Sequence, residues 1–176
     1  KGGQLLTQYF RHKAEDFIVE NDRVVGVNGI DEESDQAFQA LGENVIVATG
    51  GLGGSLEKVR ENWYKPWGEP PERILNGSHI YAIGDMHDAV SRISGNVTHL
   101  DWNWHYPAGV RHPRPQWKDH GLSLISPKSA LWLNYRGERF GPIPLITAYD
   151  TRWLVKEICK QEKKYSWQVL NMKIMM

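Results

Sequence analysis

The chain has little cysteine, no excess of either charge and no long apolar run. Its single cysteine, Cys159, among 176 residues excludes an internal disulfide and a cysteine-based metal site within the chain. Acidic and basic residues balance at 21 each, which argues against nucleic acid or an anionic membrane surface as the main partner. No apolar run reaches the roughly 20 residues of a membrane span, and no signal-peptide pattern is present. These features predict a soluble, cytoplasmic protein.

An apolar run followed by a glycine cluster is the feature that most directly indicates a ligand. Residues 45–47 are apolar and β-branched, which predicts a short strand buried on both faces. Four glycines within 50–54 allow the backbone to turn sharply and to approach a flat or phosphorylated group. Ser55 is expected to cap the helix that follows. Nucleotide cofactors bind at such strand–turn–helix junctions, and a tight turn without a ligand fits the local pattern equally well.

Local patterns also predict the remaining elements. They indicate a mixed chain in which short strands and helices alternate. The predicted elements are a hairpin of strands 16–20 and 23–27, a loop or third crossover segment over 31–44, a helix from Gly84 to about Gly95, a hairpin of strands 129–134 and 138–140 around 136–137, a helix from Asp150 to about Gln161, and a strand over 165–171.

Histidines and aromatic residues are concentrated between positions 102 and 120. His105, His112 and His120 are spaced by seven and eight residues, which suits neither a helical pair nor a close strand pair. We therefore predict no metal site and expect these histidines in loops or in a pocket. The tryptophans and tyrosines there could stack a sugar, as in a carbohydrate-binding module, or pack into a core. The balanced charge argues against nucleic acid.

A tyrosine and an arginine lie close together near position 150. Tyr149 beside Arg152 could act as a proton donor or acceptor if its pKa were lowered. The simpler alternative is that Tyr149 packs in the interior while Asp150 caps a helix.

Several motifs together resemble a family of flavoproteins. Residues 23–27 and 47–51 resemble the flavoprotein subunits of fumarate reductase and succinate dehydrogenase, and the 3-ketosteroid Δ1-dehydrogenases. In those proteins the two motifs mark the small antiparallel sheet and the returning parallel strand of the FAD domain. The resemblance continues through 84–87, 105–107 and 134–140, and it covers nearly the whole chain in order.

The resemblance implies a fold class, a division into domains and a cofactor. The fold is expected to be α+β / α/β, with part of a Rossmann-like FAD-binding domain in 1–100 and part of an α+β capping domain in 101–176. Ala48, Thr49, Gly50 and Gly51 are expected to line the FAD site. The family's G-x-G-x-x-G turn does not occur in the sequence. We therefore expect an internal fragment that acts with the remainder of its polypeptide, and that alone neither retains FAD nor turns over.

The resemblance also implies a reaction. Residues 141–144 (Gly-Pro-Ile-Pro) stand where fumarate reductases have Asn-Glu, which argues against fumarate reduction. Tyr149 falls near the tyrosine base of the ketosteroid dehydrogenases, with Arg152 as an electrostatic helper. His105 and Tyr106 are expected to face the cleft for substrate or flavin. The implied reaction is desaturation, or its reverse, of a C–C bond next to a carbonyl in a small hydrophobic substrate. The alternative is an aromatic-rich module that binds carbohydrate or another small ligand without catalysis.

Overall fold

A computed structural model of the chain describes residues 6–124, 131–141 and 150–169. The chain divides into two compact units, of which the first takes in 1–50 and 84–98, and the second 51–83 and 99–176. The predicted domains, 1–100 and 101–176, share the break near residue 100 but place 51–83 differently. Their assignment to an FAD domain and a capping domain stays a prediction.

The described residues form seven short strands, three helices and one 3-10 turn. Their mixed helix and sheet content agrees with the expected fold class, while the three small sheets are all antiparallel. In chain order the elements are β1 (His12–Glu20), β2 (Arg23–Asp31), β3 (Gln36–Leu41), α1 (Leu56–Glu61), the 3-10 turn (Lys65–Trp67), α2 (Asp85–Arg92), β4 (Gly109–Arg111), β5 (Gly121–Ser123), β6 (Leu131–Leu133), α3 (Thr151–Cys159) and β7 (Trp167–Val169).

The first unit is a three-stranded antiparallel sheet with α2 beside it. The predicted hairpin is confirmed, since β1 pairs with β2 across a two-residue turn. Asn21 and Asp22 in that turn have φ angles of 49° and 59°, the left-handed values that a tight hairpin turn requires. The predicted loop over 31–44 contains a third strand, β3, which pairs with β2. An ion pair of 3.1 Å between Arg92 and Asp16 links α2 to β1.

The predicted buried strand at 45–47 is wrong. These residues form no strand, and Ile46 is 88% exposed while Val47 is 41% exposed. A strand buried on both faces needs a neighbouring strand and a covering layer on each side. Among the described residues no strand pairs with this segment, so its apolar sequence finds no partner.

The second unit has two clusters of buried side chains, and α3 contributes to both. Both predicted helix caps are confirmed, because Ser55 Oγ accepts from Lys58 N at 3.3 Å and an Asp150 carboxylate oxygen accepts from Trp153 N at 2.7 Å. The first cluster joins α1, the 3-10 turn and α3 through Leu52, Val59, Trp63, Trp67, Val155 and Cys159. This packing places the start of α3 beside the 3-10 turn.

The second cluster lies between α3 and the small sheet of β6 and β7. It consists of Trp132, Leu154 and Ile158, and the indole nitrogen of Trp132 donates to Ser166 Oγ at 2.9 Å. The predicted hairpin around 136–137 is present as a tight turn closed by a single bridge between Leu133 and Arg139. The strand partner of β6 is β7 instead. Position 134 begins this turn, and the rest of the expected strand, 129–130, lies outside the described residues.

Candidate functional site

The predicted cofactor-binding residues form an exposed segment between β3 and α1. Ala48, Thr49, Gly50 and Gly51 are all exposed, and Gly50 takes a left-handed φ of 82°. Among the described residues, none accepts a hydrogen bond from the main-chain N–H groups of these four. A Cβ atom added to Gly51 would meet nothing within 4 Å. The segment therefore presents free donors and open space to a ligand.

A cavity of about 270 Å³ lies at the start of α3, wholly within the second unit. Two predicted site residues, His105 and Arg152, meet there although they are far apart in sequence. The residues that line the cavity are Trp67, Trp102, Asn103, Trp104, His105, Thr151 and Arg152. The cavity thus combines aromatic walls with a few polar groups, the usual composition of a small-molecule site.

His105 is held among aromatic rings and is neutral at pH 7. Its ring centroid lies 4.7 Å from that of Trp63 and 5.8 Å from that of Trp67. Its Nε2 atom is buried and has no hydrogen-bond partner among the described residues. Burial lowers the pKa of His105 from 6.5 to about 4, with a further contribution from the positive charge of Arg152. A neutral imidazole has one N–H donor and one acceptor nitrogen.

Arg152 is a cation surrounded by ring faces. Its guanidinium carbon lies 4.4 Å from the ring centroid of Tyr64, 5.2 Å from that of Trp67 and 5.3 Å from that of Trp102. Such cation–π contacts contribute about 0.5–1 kcal/mol each at exposed sites and hold the guanidinium in place. Within the described part of the chain, Arg152 has no ion pair and no side-chain hydrogen bond.

Acidification is expected to destabilise the second unit through His105. Its pKa is about 4 in the folded protein and 6.5 in the unfolded chain, so the unfolded chain binds more protons between these values. The stabilisation is complete above pH 6.5 and is lost as the pH falls to 4. We expect a loss of roughly 1–2 kcal/mol, which allows for the partial solvent access of the ring.

The measurement is the free energy of unfolding from pH 7 to pH 4 for the wild type and for His105→Gln. Because a glutamine side chain does not titrate, the variant should show a shallower dependence on pH, while the other histidines contribute equally to both proteins. Identical slopes would contradict the assignment.

Of the two tyrosines predicted for the site, the structure describes one. Tyr106 is 54% exposed and does not line the cavity; its ring stacks on Trp104 with centroids 5.9 Å apart. Tyr149 lies outside the described residues, so its role stays a prediction. Asn103 and Thr151 line the cavity but were not identified from the sequence. In the sequence, Asn103 is distinguished only by a neighbouring tryptophan and Thr151 only by the neighbouring Arg152. Such neighbours are too common to indicate a site.

The three histidines considered for a metal do not form one group. His112 and His120 stack in parallel at 4.1 Å, and His120 also stacks on Trp117 at 3.6 Å. The Nδ1 atoms of both accept main-chain N–H groups, from Arg114 and Gln116 respectively. Across the described ranges, no group of three histidine, cysteine or acidic residues could hold a metal ion.

Comparison with known proteins decides the family. A model of the FAD binding domain family matches residues 2–175, almost the whole chain. The chain belongs to the FAD binding domain family. This membership confirms the flavoprotein resemblance, and FAD is the cofactor of the family. No solved structure was found to match the chain.

Proteins similar to this chain include steroid dehydrogenases and an oxidoreductase. It is similar to a KsdD-like steroid dehydrogenase of Mycolicibacterium smegmatis, with 33% identity over 93% of the chain and 32% of that protein. A KsdD-like steroid dehydrogenase of Mycobacterium tuberculosis is 36% identical over 93% of the chain and 31% of its own length. An NADH:acrylate oxidoreductase of Vibrio harveyi is 22% identical over 80% of the chain and 13% of its length. The chain thus spans about a third of the steroid dehydrogenases it matches.

The exposed segment 48–51 offers two features that an FAD site can use. Its free main-chain N–H groups can donate to the oxygen or nitrogen acceptors of the cofactor, and the open space at Gly51 admits a close approach. No described helix is both long and apolar enough to cross a membrane.

Proposed function

We propose that the chain is part of an FAD-dependent oxidoreductase that dehydrogenates a C–C bond next to a carbonyl in a steroid-like substrate. The observation that carries the proposal is the cavity that joins aromatic walls to neutral His105 and cationic Arg152. The two steroid dehydrogenases, which match 93% of the chain, support the reaction class and the substrate class.

The residues of the chain are assigned three tasks. The main-chain N–H groups of 48–51 hold FAD, which when bound supplies the uptake of a hydride from the substrate. The aromatic walls of the cavity contact the flat apolar body of the substrate, and they exclude water from it. Arg152 places a fixed positive charge beside a substrate oxygen.

A base must take the proton that leaves from the carbon next to the carbonyl. We assign this task to Tyr149, which rests on the resemblance to ketosteroid dehydrogenases. As this proton passes to the base, a hydride leaves the neighbouring carbon and a C=C bond forms. The reverse sequence is reduction of the same bond. His105, whose pKa is lowered to about 4, is too weak a base to compete with Tyr149 for this proton.

The proposal includes the remainder of the polypeptide. The segment 48–51 belongs to a Rossmann-like FAD domain whose G-x-G-x-x-G turn is supplied by residues beyond this sequence, and the isolated chain is inactive. The cytoplasmic location expected from the sequence stays a prediction. We do not propose the carbohydrate-binding alternative, because the FAD binding domain family accounts for nearly all residues of the chain.

The test is made on the full-length protein. It should purify yellow, with a flavin absorbance spectrum, and that absorbance should bleach when a 3-keto steroid is added without oxygen. Tyr149→Phe should retain the flavin spectrum but lose the bleaching. Tyr81→Phe is the matched control, because Tyr81 is exposed and lies outside the cavity, and it should bleach normally.

A colourless full-length protein would overturn the assignment to flavin chemistry. A yellow protein whose flavin no 3-keto steroid reduces would contradict the substrate class. Normal bleaching by Tyr149→Phe would contradict the base.

A further inference from the structure

Among the described residues, Arg152 is the only charged side chain that lines the cavity at the start of α3. The other lining residues are aromatic, neutral polar, or the neutral His105. Three ring faces fix the guanidinium within 4.4–5.3 Å of their centroids, which reduces the freedom that an exposed arginine normally has. The charge is therefore positioned but not neutralised within the described part of the chain.

The nearest acidic side chain along the helix does not neutralise it. Asp150 precedes Arg152 by two residues, but its carboxylate accepts from Trp153 N at 2.7 Å and caps α3. Both residues belong to the described range 150–169, and no ion pair joins them there. No described acidic side chain of the second unit pairs with the guanidinium, so it is available to a ligand.

We propose that this cavity binds a carboxylate carried on a flat, apolar ring system, with Arg152 donating to the two carboxylate oxygens. The proposal rests on the proposed function, because it narrows the steroid-like substrate to one that bears an acid group. The guanidinium carbon lies over three ring faces, and no described acceptor takes its N–H groups, which match a carboxylate in a paired, charge-assisted geometry. Trp67, Trp102 and Trp104 supply the apolar walls.

A carboxylate suits this site better than a neutral oxygen. The hydrogen bonds of a guanidinium to a carboxylate are about twice as strong as those between neutral groups. The rings of a neutral ligand would partly desolvate the positive charge of Arg152, and the ligand would supply no counterion for it. Arg152 then acts as an anchor that sets the position of the substrate, and bond breaking is left to other groups.

The experiment compares an acid with its ester on the full-length protein. The probes are 2-naphthoate and methyl 2-naphthoate, which share one flat ring system, and their dissociation constants are measured by titration calorimetry. The variants are Arg152→Gln and Arg152→Lys. Arg114→Gln is the matched control, because Arg114 is an exposed arginine of the same unit that does not line the cavity.

We expect wild type to bind the acid more tightly than the ester. Arg152→Gln should weaken the acid about tenfold or more and change the ester less than about twofold, because only the acid loses a charge-assisted pair. The affinity of Arg152→Lys for the acid should fall between those of wild type and Arg152→Gln, since lysine keeps the charge but loses the planar pair of N–H donors. Arg114→Gln should change neither, and added salt should weaken the acid alone.

Equal affinity for acid and ester in wild type would overturn the proposal, as would equal losses of both in Arg152→Gln. The flavin spectrum of each preparation separates this failure from that of the proposed function. A yellow, steroid-reducible protein that does not distinguish acid from ester would refute the carboxylate site alone. A colourless protein that still prefers the acid through Arg152 would refute the flavoenzyme assignment alone.

Discussion

Replacing Leu154 with alanine should lower the free energy of unfolding by about 3–5 kcal/mol. Leu154 is fully buried, with 0% of its side chain exposed, and lies in the middle of α3 against Trp132 and Ile158. Alanine removes the buried methyl groups and leaves a cavity that the sheet of β6 and β7 can close only in part. Unfolding by urea, followed by tryptophan fluorescence, measures the loss.

A matched control separates burial from the loss of a leucine as such. Leu122 in β5 is 40% exposed, so Leu122→Ala should cost less than about 1 kcal/mol. Because α3 carries Arg152, the Leu154 variant should also bind 2-naphthoate more weakly, in proportion to its loss of native population. This binding should recover at low temperature. A loss below about 1 kcal/mol for Leu154→Ala would show that this cluster is not packed as described.

The elements predicted correctly are those that neighbouring residues determine. The hairpin of β1 and β2 follows from Asn21 and Asp22, which tolerate left-handed backbone angles, between two β-branched runs. The starts of α1 and α3 follow from Ser55 and Asp150, each of which accepts a main-chain N–H three residues ahead. In each case the physical cause lies within a few positions of the element.

The buried strand at 45–47 failed because burial is not a local property. Its apolar residues indicate only that the segment favours an apolar environment. The segment itself does not specify the partners that would supply that environment. Ile46 is exposed in this chain for that reason. The third strand, β3, was missed because its sequence, Gln-Ala-Phe-Gln-Ala-Leu, has no β-branched residue and no regular alternation, so only pairing with β2 makes it a strand.

The candidate site could be predicted in part. The family resemblance made His105 and Arg152 candidates for the substrate site, but no local pattern indicated that residues so distant would line one cavity. Their proximity results from the packing of α3 on the 3-10 turn through Trp67 and Val155. The cation–π contacts of Arg152 with Tyr64 and Trp102 follow from the same packing, so they too have no local signal.

Replacing Gly51 with alanine should leave the stability of the full-length protein unchanged and weaken FAD binding about tenfold or more. A methyl group at this position meets no protein atom within 4 Å, and Gly51 does not need a left-handed backbone, so the fold has no reason to require glycine. A flavin or phosphate that lies against the main chain would require glycine here, because the methyl group would overlap it or push it away from the N–H donors.

Gly54→Ala provides the contrast, because there the protein itself occupies the space. A Cβ atom at Gly54 would lie 2.5 Å from the carbonyl oxygen of His79, which should lower the free energy of unfolding by about 1–3 kcal/mol. The dissociation constant for FAD, measured by quenching of flavin fluorescence in the apoprotein, and the midpoint of thermal unfolding report the two effects separately. An unchanged FAD affinity in Gly51→Ala would place the cofactor elsewhere. The two variants thus compare a glycine that we expect the ligand to require with one that the fold requires, three residues further on.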